Sequence, residues 1–152
     1  MLGDLSDQEM EELLRSETIG RLGCHAAGMT YVVPVAFVFD GGYVYSHSPE
    51  GRKIRMMRRN PEVCFEVDRI VSINDWRSVI AWGPYEELRG DGARFGIELL
   101  MKRLSSPSLG TTGHPSYPLR WAESRPPDPE GPVVVAYRIR LGRMRGRFER
   151  PD

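Results

Sequence analysis

Apolar positions recur at helical spacing in three stretches of the chain, and alternate or run together at strand spacing in six others. Met10, Leu13 and Leu14 follow the capping-box pattern Ser6-Asp7-Gln8-Glu9 and predict a short helix ending near Ser16. Ile19, Leu22 and Cys24 mark inward positions of a strand over residues 18–25, and Ala26-Ala27-Gly28 supplies the turn after it. The run from Met29 to Phe39 is apolar on both faces. Two buried faces point to a barrel interior on one side and a subunit interface or bound ring system on the other, and Pro34 marks a place where the ladder lacks a donor. Asp40-Gly41-Gly42 predicts a tight hairpin into an antiparallel strand over 42–47.

A helix is expected over 49–59, with Ser48 as N-cap and Pro49 at its first position. It carries Arg52, Lys53, Arg55, Arg58 and Arg59, keeps Ile54, Met56 and Met57 apolar, and stops at Asn60-Pro61. Val63, Phe65 and Val67 then alternate with Cys64, Glu66 and Asp68, as in a strand with one core face. A long strand follows over 76–88, kinked at Gly83-Pro84, and then a helix over 92–104 that buries Phe95, Leu99 and Leu100. The last strand spans 133–147, with Val135, Tyr137, Ile139 and Leu141 on one phase. Between helix and strand, residues 105–132 are rich in Pro, Gly and Ser and read as a long irregular insertion. This is either a binding segment that docks through Tyr117 and Trp121 or a surface excursion. Six strands with short connections and flanking helices predict a mainly β, six-stranded antiparallel split barrel, in a single domain over 1–152.

At 152 residues the chain supports one core, and a second copy would help cover leftover apolar surface. The formal net charge of +0 provides no global field for nucleic acid, so any basic footprint must be local, as it is at 52–59. Cys24 and Cys64 lack the close pairing of a metal or redox motif and are expected to be buried, reduced thiols. No apolar run reaches the ~20 residues of a membrane span and no basic-then-apolar leader opens the chain, so a cytoplasmic protein without a membrane partner is expected. His25, His47 and His114 show no metal-ligand spacing. No Gly-x-Ser-x-Gly turn, Walker pattern or dinucleotide glycine pattern is present.

The remaining chemistry gathers at Tyr43 to Lys53, where an apolar strand breaks into Ser46-His47-Ser48 and meets a basic helix. Gly51 lets a ligand approach the first turn, whose free amides and positive dipole end would face an anion, and Arg52 and Lys53 add full charges. A solvated basic surface helix is the alternative. The doubly apolar strand can form a flat wall, and Trp76-Arg77-Ser78 can supply stacking and polar edges, together suiting an aromatic phosphate ester.

Gly20-Arg21-Leu22-Gly23, Tyr31-Val32-Val33-Pro34-Val35, Tyr45-Ser46-His47-Ser48, Gly51-Arg52-Lys53, the stretch Arg58 to Asp68 and Trp76-Arg77-Ser78-Val79 occur in an order that resembles the pyridoxamine 5'-phosphate oxidase-like split-barrel flavoproteins. The branch most similar is that of the nitroimidazole-resistance proteins. The resemblance covers residues 5 to 104 and continues weakly in the last strand. It implies a homodimer with FMN at the subunit interface. By this resemblance Val32, Val33, Pro34 and Val35 line the isoalloxazine, and Ser46, His47, Ser48, Arg52 and Lys53 hold the ribityl phosphate. Trp76, Arg77 and Ser78 contribute across the interface. His47 is the candidate catalytic group, as a proton donor on the substrate side of the flavin, or else it only bonds the phosphate or backbone. Trp76 either stacks on a ring or fills the core. The implied activity is an oxidoreductase passing electrons from a reduced donor through FMN to a small acceptor such as a nitro-aromatic. The alternative is a non-catalytic protein that stores or senses flavin, haem or a deazaflavin coenzyme.

Overall fold

In a computed structural model, residues 1–105 and 133–152 are described. The Pro-rich insertion, with Tyr117 and Trp121, lies outside the described residues, as does His114. The strands are β1 (Leu2–Asp4), β2 (Ile19–Ala26), β3 (Met29–Ala36), β4 (Val38–Asp40), β5 (Tyr43–Pro49), β6 (Glu62–Ser72), β7 (Asp75–Leu88), β8 (Val134–Arg140) and β9 (Arg143–Glu149). The helices are α1 (Asp7–Ser16), α2 (Arg52–Arg59) and α3 (Gly90–Leu104).

Local chemistry explains most boundaries. Ser6 Oγ accepts from the Glu9 N–H at 3.2 Å and Glu9 accepts from the Ser6 N–H at 2.9 Å, so the capping box closes and α1 starts where the sequence indicates. Ser6→Ala is expected to cost about 1 kcal/mol of stability, read from chemical denaturation. Gly41 and Gly42, with φ of 58° and 83°, make the two-residue turn between β4 and β5, and Ala27-Gly28 makes the equivalent turn between β2 and β3.

The strands form an antiparallel sheet in the order β3-β2-β6-β7-β8-β5-β4, with β9 paired to both β7 and β1. This is the split barrel expected, with helices on its flanks, but it has nine strands among the described residues rather than six, and the sheet does not close. The run over 29–39 is two strands because Phe37, fully buried, donates its N–H to Thr18 O at 2.9 Å instead of to a ladder, and the chain changes neighbours there. The expected last strand is likewise two, turned at Leu141-Gly142: β8 pairs β5 and the end of β7, whereas β9 pairs the start of β7. β7 serves both halves by changing partner at Gly83-Pro84, from β9 up to Trp82 to β8 from Tyr85, and Gly142 N donates to Trp82 O at 3.0 Å. β1 had no periodic signal; three residues are too few for one, and Leu2 is 60% exposed. Pro34 sits on the edge strand β3, where a missing donor costs least.

Phe37 and Phe65 meet edge to face, with ring centroids 4.8 Å apart, at the centre of a core that includes Leu14, Leu22, Ile54, Met57, Tyr137 and Ile139. α3 buries Leu100 as expected but leaves Phe95 49% exposed, its ring against the edge of Tyr45 at 5.8 Å; Gly96 and Met101 take the inward positions. Cys24 is buried, whereas Cys64 is half-buried because it stands on the outer face of β6, opposite Gly23.

Candidate functional site

Helix α2 begins at Arg52, three residues later than expected. Pro49 still pairs with Val134 in the ladder, so the chain stays extended until Gly51, which becomes the N-cap without a side-chain hydrogen bond. Ser48 is therefore no cap: its hydroxyl donates to Pro49 O at 2.8 Å. Ser46 donates to Ala36 O at 2.7 Å, and both serines are buried, tying β5 to its surroundings. With no side chain capping it, the first turn of α2 can meet an outside acceptor.

Three of the five cations of α2 stand in distinct environments. Arg58 is gripped by Glu50 and by Glu87, which holds the Glu87 carboxyl below the usual range, so this guanidinium is neutralised within the chain. Lys53 is half-buried, forms no ion pair among the described residues, and has its pKa pushed down by burial. Its charge acts on two neighbours. His47, half-buried on β5, is held below the ordinary imidazole range by burial and then by Lys53, and is neutral at neutral pH. Cys24 is pushed up by burial and by Cys64, against an opposing pull from Lys53. Arg52 is exposed, lies 5.9 Å from the centre of the Tyr31 ring and 4.0 Å from Met29 Sδ, and also has no carboxylate partner among the described residues.

The other expected site residues fall into two groups. On β3, Val32 and Pro34 face outward, with Val32 62% exposed, while Val33 and Val35 pack toward the core. This strand lies beside the start of α2, as the contact between Arg52 and Tyr31 shows. Trp76, Arg77 and Ser78 do not join them. They line a cleft of about 430 Å³ with Glu66, Asp68 and Ile70 near the far end of β6 and β7. The pairing of Trp76 with Ile70 and of Trp82 with Cys64 puts these rows about 20 Å apart along the strand. Trp76 Nε1 donates to Glu149 Oε2 at 3.1 Å, so its ring is tethered to β9. A second cleft, of about 280 Å³, lies among Gly23, Cys24, His25, Val32, Cys64 and Trp82, nearer to α2. Among the described residues no group of His, Cys, Asp or Glu could hold a metal ion, and no helix is long and apolar enough to cross a membrane.

Sequence reading missed the role of Cys24 as a neighbour of Lys53 and the capture of Arg58 by Glu50 and Glu87. Neither has a sequence signal, since both arise from β2, β5 and β7 meeting α2. It also missed the pairing of Arg21 with Asp68 at 3.2 Å and Glu66 at 3.8 Å, although the alternation of β6 already placed both acids on the outer face.

A family model described as pyridoxamine 5'-phosphate oxidase matches residues 6–148. The chain belongs to that family. A protein of uncharacterised function from Rhizobium meliloti is 32% identical over 84 residues, 55% of this chain and 56% of that protein, so the match spans about half of the curated relative. Among solved structures, an FAD-binding protein from Mesorhizobium loti is 28% identical with a TM-score of 0.76, and the superposition covers 99% of each chain. A protein described as a candidate 5-nitroimidazole antibiotic resistance protein from Bacteroides thetaiotaomicron shares the fold, at 20% identity and a TM-score of 0.69 over 97% of this chain and 87% of that one.

Proposed function

We propose that this family member binds a flavin nucleotide through its phosphate at the start of α2, and works as a flavin-dependent oxidoreductase. The observation that carries the reading is Lys53: an ammonium held partly out of water with no carboxylate partner among the described residues, beside a helix start with no side-chain cap and a second cation, Arg52, that also has no carboxylate partner among them. An anion there would satisfy all three, and charge-assisted bonds to phosphate are among the stronger polar contacts a protein makes. Val32 and Pro34, on the outer face of β3, offer an adjacent apolar wall. Both FMN and FAD carry the ribityl phosphate; FMN follows from the resemblance of the motifs, and the name of the Mesorhizobium loti protein favours FAD.

A bound flavin would supply the electron transfer to a small acceptor such as a nitro-aromatic or quinone. The chain's own contribution is to hold the phosphate, shield the ring and present His47 as a neutral imidazole able to donate or accept one proton. A homodimer is part of the reading: Trp76 and Ser78 lie on a sheet face left open in one copy, which a second copy would cover.

Purified protein titrated with FMN and with FAD is expected to shift the visible flavin spectrum and raise the melting temperature with at least one of them. No change with either rejects flavin binding. Reduction of the bound flavin by a nicotinamide donor, with nitro-aromatic consumption above that of free flavin, is the expected catalytic result; binding without turnover would leave a flavin-storing module instead.

A further inference from the structure

Helix α2 carries five cations and no acid, and Arg52 and Lys53 put positive charge at the positive end of its dipole. With about 100° of turn per residue, Arg52, Arg55 and Arg59 fall within an arc of about 60° and rise about 4.5 Å and then about 6 Å along the axis. All three are exposed, and none has a carboxylate partner among the described residues. Arg58 stands off this row and is the arginine that Glu50 and Glu87 take. Like charges at i,i+3 and i,i+4 weaken a helix, so the row costs stability and gains no ion pair in return among the described residues. It starts at Arg52, beside Lys53 and the helix start with no side-chain cap, and a single phosphate there leaves Arg55 and Arg59 unanswered.

We propose that this row is a dinucleotide subsite, in which Arg55 binds the second phosphate of FAD and Arg59, one turn further on, meets its adenosine end. The flavin's own phosphate would belong to Arg52, Lys53 and the first-turn amides. A guanidinium suits both outer tasks, since it bonds phosphate in a fork and its plane stacks on an aromatic ring such as a purine. FMN ends at its single phosphate and has no group for either residue. The inference rests on the flavin-phosphate reading above and names FAD as the nucleotide and Arg55 and Arg59 as the residues that select it.

Titration calorimetry with FMN and with FAD, at one fixed ionic strength, tests it on wild type, Arg55→Gln, Arg59→Gln and the double variant. Wild type is expected to bind FAD at least about tenfold more tightly than FMN. The double variant is expected to lose that preference, with FAD weakened at least about tenfold and FMN held within about twofold, and Arg55→Gln alone is expected to produce most of the loss. Both side chains are exposed, so the melting temperature without ligand is expected to hold or rise as repulsion along the helix is relieved. Equal affinity of wild type for the two nucleotides, or a FAD preference that the double variant keeps, would overturn the subsite and leave the flavin-phosphate site standing. Equal weakening of FMN and FAD would also overturn it, since the row would then act only as a general field. A wild type that binds neither nucleotide would overturn the subsite and the flavin reading together.

Discussion

Gly83→Ala is expected to cost at least about 4 kcal/mol of stability, enough to leave little folded protein. A Cβ at Gly83 would sit 1.6 Å from the backbone oxygen of Arg140 and 2.9 Å from its carbonyl carbon. The obstacle is main chain, with no flexible side-chain end to swing aside. Moving it would separate β8 from β7, where Tyr85 pairs with Ile139, and would disturb the Leu141-Gly142 turn, whose amide donates to Trp82 O. Gly92→Ala is the contrasting variant. Its Cβ meets only Leu88 Cδ2, at an ordinary 3.9 Å, inside α3, so a gain of about 0.5–1 kcal/mol is expected from restricting the unfolded chain. Denaturant midpoints of the two variants beside wild type check both, and a Gly83→Ala protein within about 1 kcal/mol of wild type would mean that the β7 crossing is looser than the geometry requires.

Replacing Arg52 and Lys53 together by alanine is expected to weaken flavin binding by about 3–6 kcal/mol, or roughly 10²- to 10⁴-fold in Kd, since each charged contact contributes about 1.5–3 kcal/mol. Stability without ligand is expected to move the other way. Lys53 is half-buried without a partner carboxylate among the described residues, so Lys53→Ala removes a desolvated charge and leaves the empty protein equally or more stable. The sign of the pH effect follows. With its folded-state pKa below the ordinary 10.5, Lys53 binds fewer protons folded than unfolded, so wild-type stability rises with pH in the window just below 10.5, and Lys53→Ala lacks that contribution. Titration calorimetry with FMN and FAD, paired with unfolding at several alkaline pH values, separates affinity from stability. Flavin affinity within twofold of wild type would place the phosphate elsewhere.

Much of the fold was legible because local chemistry set it. The Ser6 capping box, the Gly41-Gly42 turn, the stop at Asn60-Pro61 and the alternation of Val63, Phe65 and Val67 each depend on residues a few positions apart. The strand breaks at Phe37 and Leu141-Gly142 were not legible, since both sides of each break are apolar enough for one strand and only the change of neighbour divides them. The start of α2 was misplaced for a related reason. Ser48 and Pro49 suit a helix N-terminus by type, but the ladder with Val134 and Val135 keeps them extended.

The sequence by itself determined the split-barrel class and placed Arg52 and Lys53 at the start of a helix beside Ser46, His47 and Ser48, because period, turn chemistry and charge are local properties of the chain. Tertiary structure alone decided that Arg58 is answered within the chain while Arg52 and Lys53 are not, among the described residues. Glu50 and Glu87 take Arg58, while Lys53 stands half-buried beside His47 and Cys24 without a carboxylate partner among the described residues. The meeting of Arg21 on β2 with Glu66 and Asp68 on β6 is likewise a matter of register, which depends on how distant strands pair and has no local signature.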